Sequence, residues 1–115
     1  MPHLQIDHYP NFPTKNLLKL LVEELCKIET IDPAAVKAYS RLADQFEPGY
    51  MAPNGFVHLT ICVLEGRNQE VLERMSDQLY KIGSDFIKEN TKSPVSWTLD
   101  IREMTRHTYK KGTVG

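Results

Sequence analysis

Leu4 and Ile6 alternate with His3, Gln5 and Asp7, a period-two pattern that predicts a short strand with one face in water. The stretch Tyr9-Pro10-Asn11-Phe12-Pro13-Thr14 ends that strand and launches a helix. Leu17, Leu18, Leu21, Leu25 and Ile28 recur at three- and four-residue steps, one apolar stripe over about four turns. Ile31-Asp32-Pro33 is expected to stop the helix, because the residue before a proline is pushed out of the α region. Val36, Ala38, Ser40 and Leu42 then alternate with Lys37, Tyr39 and Arg41, which predicts a second strand. Glu47-Pro48-Gly49 and Pro53-Asn54-Gly55 form a turn-rich connection.

The second half repeats the order of elements. Val57, Leu59, Ile61 and Val63 alternate with His58, Thr60 and Cys62 until Glu65-Gly66-Arg67-Asn68 breaks the strand. Asn68 is an N-cap for a long helix with the apolar stripe Leu72, Met75, Leu79, Ile82 and Phe86, and Asn90 to Pro94 ends it. Trp97, Leu99 and Ile101 alternate with Thr98, Asp100 and Arg102 as a fourth strand, and the tail from Thr105 is irregular. Pro2-His3-Leu4-Gln5-Ile6 matches Val57-His58-Leu59-Thr60-Ile61 at an offset of 55. A strand-helix-strand unit closes as a right-handed crossover with parallel strands. The expected fold is therefore α+β: one domain of two β-α-β repeats, residues 1–46 and 56–104, with a four-stranded sheet and both helices on one face. The other sheet face would carry His3, Gln5, Lys37, Tyr39, His58 and Thr60, and a symmetric oligomer would pack it.

Length and charge narrow the function. A chain of 115 residues makes one ordinary domain, burying about two-thirds of its unfolded surface. Fourteen basic residues against fifteen acidic ones give a net charge of −1, which offers no field for nucleic acid or an anionic membrane. No run of eighteen apolar residues is present, which argues against a spanning helix. The opening MPHLQIDHYP has neither a charged leader nor an apolar run, so no signal peptide is expected. Cys26 and Cys62 lie in apolar segments at no motif spacing and read as reduced thiols of a cytoplasmic protein.

Familiar catalytic signatures are missing: there is no GxGxxG, P-loop, GxSxG, HExxH or CxxC pattern, and the four histidines have no ligand spacing. No metal is expected, and His3 and His58, at equivalent strand positions, read as hydrogen-bonded packing residues. The unusual feature is Pro2. Removal of Met1 would make it an amino terminus with a secondary amine. An α-amine titrates near ~7.7–8.0, and burial or nearby cations lower that value because they penalise the charged form. A base of that strength can take a proton from carbon beside a carbonyl.

Read together, Pro2-His3-Leu4-Gln5-Ile6, the turn Leu64-Glu65-Gly66-Arg67 and the strand Leu99-Asp100-Ile101-Arg102-Glu103-Met104 resemble the tautomerase superfamily. The double-length chain, the Met-Pro-His start and Phe56-Val57-His58-Leu59-Thr60 are most similar to its 5-carboxymethyl-2-hydroxymuconate Δ-isomerases. The resemblance is loose between Ala34 and Gly55. It implies a homotrimer with no cofactor and no metal, acting on a small carboxylate. By the same resemblance Pro2 stands for the catalytic base and Arg67 for the arginine that binds substrate. The second-strand arginine of those isomerases is replaced by Lys37, which keeps the charge but loses the planar two-pronged grip. Arg41, four residues on, could supply the missing guanidinium, and Tyr109 aligns with an aromatic wall residue.

The expected activity is a cofactor-free proton shift in an unsaturated 2-hydroxy or 2-oxo acid. Two other readings stay open: a non-catalytic trimeric binding protein of the same fold, and a related proline-based decarboxylase or dehalogenase.

Overall fold

The computed structural model describes residues 2–115. The expected loss of Met1 lies outside the described residues. In chain order the elements are β1 (His3–Tyr9), α1 (Thr14–Leu25), β2 (Lys37–Leu42), β3 (Phe56–Leu64), α2 (Gln69–Asn90) and β4 (Ser96–Met104). The strands form one mixed sheet in the order β2-β1-β3-β4. β1 runs parallel to β2, β3 runs parallel to β4, and the central pair β1–β3 is antiparallel.

Alternation decides which strand residues face the helices, since successive side chains point to opposite sides. Leu4 and Ile6 of β1, with Val57, Leu59, Ile61 and Val63 of β3, are buried against Leu17, Leu21 and Leu25 of α1 and Met75, Leu79 and Ile87 of α2. Burying each such side chain contributes about 1.5–3 kcal/mol. This layer of aliphatic residues between sheet and helices is the core.

Three local expectations are revised. α1 ends at Leu25, short of the Asp32-Pro33 stop. Successive turns then carry the chain on, with Ile28 N donating to Leu25 O and Ile31 N to Ile28 O. Ile28 and Ile31 are still buried, so the apolar spacing reports core contact rather than helix. Asp32 instead caps a short 3-10 turn, Pro33–Ala35, accepting from Ala34 N at 3.1 Å. In α2 the buried line is Met75, Leu79, Gly83 and Ile87, while Leu72, Ile82 and Phe86 are only partly buried at its flank. Asn68 does cap α2, its side chain accepting from Val71 N at 2.9 Å.

The open sheet face is polar and cross-linked. Tyr39 OH donates to Gln5 Oε1 at 2.6 Å, Gln5 Nε2 to Asp7 Oδ2 at 2.8 Å, and Arg41 Nε to Asp7 Oδ1 at 3.0 Å. His58 Nδ1 lies 2.6 Å from Thr98 Oγ1.

Candidate active site

One end of the sheet gathers most of the residues singled out above. β1 and β2 begin there and β3 and β4 finish there, because His3 is paired with both Lys37 and Cys62, and Cys62 with Arg102. Pro2 precedes β1 at this end and is fully buried. Its carbonyl accepts from Lys37 N at 3.1 Å, which extends the parallel ladder by one rung. The Lys37 side chain is exposed on the open face, with Nζ 3.5 Å from Ala35 O.

Arg67 lies in the turn that follows β3. Gly66 makes this turn possible, because its φ of 117° is a conformation that a side chain disfavours. Arg67 is bound on three sides: Nε donates to Thr30 Oγ1 at 3.1 Å, Nη1 to Leu64 O at 3.1 Å and Nη2 to Thr30 O at 3.0 Å. A guanidinium carries five N–H donors, so two remain for a ligand. The same side chain therefore ties the α1–β2 connection to the β3–α2 turn.

The tail after β4 folds back over this end. Arg106 donates from its backbone N to Glu65 Oε2 at 2.7 Å and from Nε to Glu65 O at 3.0 Å, and its guanidinium covers Gly66. A turn at Thr105, with Tyr109 N donating to Thr105 O at 3.1 Å, then brings the Tyr109 hydroxyl to 3.5 Å from His3 Nε2. Burial, aided by the Lys37 charge, holds the His3 imidazole below its ordinary pKa, which favours its uncharged form.

Arg41 is not brought to this end. It stands about 13 Å along β2 from Lys37, and its guanidinium is engaged by Asp7. Burial pushes the Asp7 carboxyl up, but hydrogen bonds from Gln5 and Arg41 outweigh it and hold Asp7 below the usual range. The sequence pattern pointed neither to the contact of His3 with Tyr109 nor to the hold of Arg106 on Glu65 at this end. The position of His3 beside Pro2 was a usable signal, whereas nothing in the tail's composition announced that Arg106 folds onto Glu65.

Among the described residues, no group of three or more His, Cys, Asp or Glu side chains could hold a metal ion. No described helix is long and apolar enough to cross a membrane. This end of the sheet carries instead a buried proline, an exposed lysine, an arginine with two donors left over, and the His3–Tyr109 pair.

The family model for 5-carboxymethyl-2-hydroxymuconate isomerase matches residues 2–114. The chain belongs to that family. It is an isomerase of the tautomerase superfamily, and the sheet and helices described above are the tautomerase fold. A 5-carboxymethyl-2-hydroxymuconate isomerase from Deinococcus radiodurans R1 superposes with a TM-score of 0.85 at 22% identity, covering 98% of this chain and 90% of that one. A 5-carboxymethyl-2-hydroxymuconate delta-isomerase gives 0.76 at 13% identity, covering 100% and 89%. A fused 4-OT described as an asymmetric trimer gives 0.77 at 10% identity, covering 96% and 92%. At such low identity these likenesses bear on fold alone. No curated protein matches the chain.

Proposed function

We propose that this isomerase shifts a proton in a small unsaturated 2-hydroxy or 2-oxo dicarboxylic or tricarboxylic acid, such as 5-carboxymethyl-2-hydroxymuconate. It would need no cofactor, and the Pro2 nitrogen is the general base once Met1 has been removed. The observation that carries this reading is the full burial of Pro2 at the sheet end it shares with Lys37, Arg67 and Tyr109. Burial and cations both disfavour prolinium, which keeps the base uncharged near neutrality.

In the reaction the Pro2 nitrogen takes the proton of the dienol hydroxyl. The O–H electron pair becomes part of the new carbonyl, the double bonds shift along the chain, and the far carbon takes the proton back from prolinium. Arg67, through its two free donors, and Lys37 hold the carboxylates and stabilise charge as it moves along the conjugated chain. Tyr109 closes one wall. Arg41 is left out of this set, since Asp7 already holds it.

The working unit is a homotrimer of single domains, each built from β-α-β repeats 1–46 and 56–104, in the cytoplasm. An accessible surface of 7752 Å² exceeds the roughly 6,400 Å² typical of a monomer of this mass, which supports association with other subunits without specifying their number. The free thiols Cys26 and Cys62 fit a reducing compartment.

The test joins intact-mass measurement, to establish that Met1 is absent, with ultraviolet assays on 2-hydroxymuconate-type dienols. Pro2→Ala should lower turnover by about 10²–10⁴-fold, and Arg67→Ala by about 10–100-fold. Equal, small losses from both substitutions would overturn the mechanism.

A further inference from the structure

The opposite end of the sheet holds a second recess. There β1 ends at Tyr9 and β3 begins at Phe56, and a cavity of about 550 Å³ opens between the Pro10–Phe12 turn, the Ala52–Gly55 segment and the loop after α2. Internal symmetry relates it to the Pro2 end. The offset of 55 carries the cross-strand pair His3–Cys62 onto His58–Asp7, and those two residues also stand opposite each other. The same offset puts Val57 where Pro2 stands and Phe12 where Arg67 stands. The recess thus repeats the surroundings of the buried proline with an aliphatic residue in place of the amine and a ring in place of the guanidinium.

Its walls are mainly apolar, with Phe12, Val57, Pro94 and Val95 among them, and no Asp or Glu contributes. Lys92 is the one charged residue in the lining, and it has no ion-pair partner among the described residues. The C-terminal carbonyls of α2 would oppose an anion here. Two of them are already occupied: Asn90 Nδ2 donates to Phe86 O and Thr91 Oγ1 to Ile87 O, each at 2.8 Å.

We propose that this recess binds an aromatic monocarboxylate, with its ring against Phe12, Val57 and Val95 and its carboxylate on Lys92. Apolar walls with one polar anchor select a flat apolar body with a single charged end. A dicarboxylate would leave its second charge against the apolar wall, which is unfavourable without a partner. Val57 stands here in place of the proposed Pro2 base and Lys92 serves as a charged anchor, so the site holds its ligand without turning it over. Its ligand class differs from the one proposed for the Pro2 end, which carries both Lys37 and Arg67.

The test is an amide chemical-shift titration of the full chain with 2-naphthoate, and with neutral 2-naphthamide as its control. Binding should move the signals of Asn54, Val57 and Val95, and should persist in Pro2→Ala, which separates it from the catalytic reading. Lys92→Gln, at an exposed position, should weaken naphthoate about tenfold and leave naphthamide unchanged. The proposal is overturned by shifts confined to Gly66 and Tyr109, by equal weakening of acid and amide in Lys92→Gln, or by no shift at about 1 mM ligand. Shifts at those amides that depend on protein concentration alone would also overturn it, since a second copy of the chain would then fill the recess.

Discussion

The indole of Trp97 occupies the space where a side chain at position 83 would begin. A Cβ on Gly83 would overlap Cζ2 of that ring and crowd Cη2 and Cε2. The indole is fixed there by Nε1, which donates to Ser84 Oγ at 3.0 Å and approaches Tyr80 O at 3.1 Å, and Tyr80 stacks on it at 5.2 Å. A helix-interior glycine normally gains up to about 1 kcal/mol on change to alanine. Here Gly83→Ala should instead destabilise by about 1–3 kcal/mol, because α2 must move off β4. Denaturant unfolding, with Trp97 fluorescence as the probe, measures it.

Arg67 joins two loops as well as facing the proposed substrate, and its substitutions should separate the two roles. Arg67→Ala removes three donors from Thr30 and Leu64 and should cost about 1 kcal/mol of stability, lowering Tm by about 4 °C. Arg67→Lys should lose similar stability, since an ammonium cannot span both partners, yet keep part of the substrate affinity through its charge. Thermal unfolding and KM together check this. An unchanged Tm in both variants would remove the tether.

In the proposed site Lys37 takes the place of an arginine, whose guanidinium would grip a carboxylate with two parallel hydrogen bonds. Lys37→Arg should lower KM for a dicarboxylic substrate by up to about tenfold with little change in kcat, and Lys37→Gln should raise it. Steady-state kinetics on one dienol substrate decide it. A lower kcat with unchanged KM in Lys37→Arg would mean that Lys37 acts on the reaction rather than on binding.

Two groups give the stability a pH dependence. Burial and Lys37 hold His3 below its ordinary pKa, so the unfolded chain binds its proton first as the pH falls. Stability should therefore decline below about pH 6.5, and His3→Gln should flatten that limb. Asp7 is held below the usual carboxylate range, burial opposing and the Gln5 and Arg41 hydrogen bonds prevailing. Its contribution is present above the ordinary carboxylate pKa and is lost as the pH falls through the lower folded value. Asp7→Asn should flatten only this more acidic limb. Urea unfolding across the pH range resolves the two.

Much of the fold was legible in the chain. The strict alternation of Val57, Leu59, Ile61 and Val63 admits one burial pattern, and Asn68 marks the start of α2 with a side chain suited to a free backbone N–H. The helix ends were less legible. Ile28 and Ile31 keep the apolar spacing of α1 after its hydrogen bonds have stopped, because burial rewards an apolar side chain in a turn as it does in a helix. The buried face of α2 also escaped composition, since its third member is a glycine whose value lies in the ring packed against it.

The candidate site divides along the same line. Its proline, the glycine turn and Arg67 are local features, fixed by residues adjacent in the chain, and the sequence by itself determined them along with the order of strands and helices. Only the tertiary structure decided that Arg41 is held by Asp7, that Arg67 also clasps Thr30, and that Tyr109 returns to His3 across 106 residues. Those outcomes depend on strand register and on how a tail folds back. Contacts so distant along the chain are selected by packing and charge in three dimensions, for which a one-dimensional pattern carries no term.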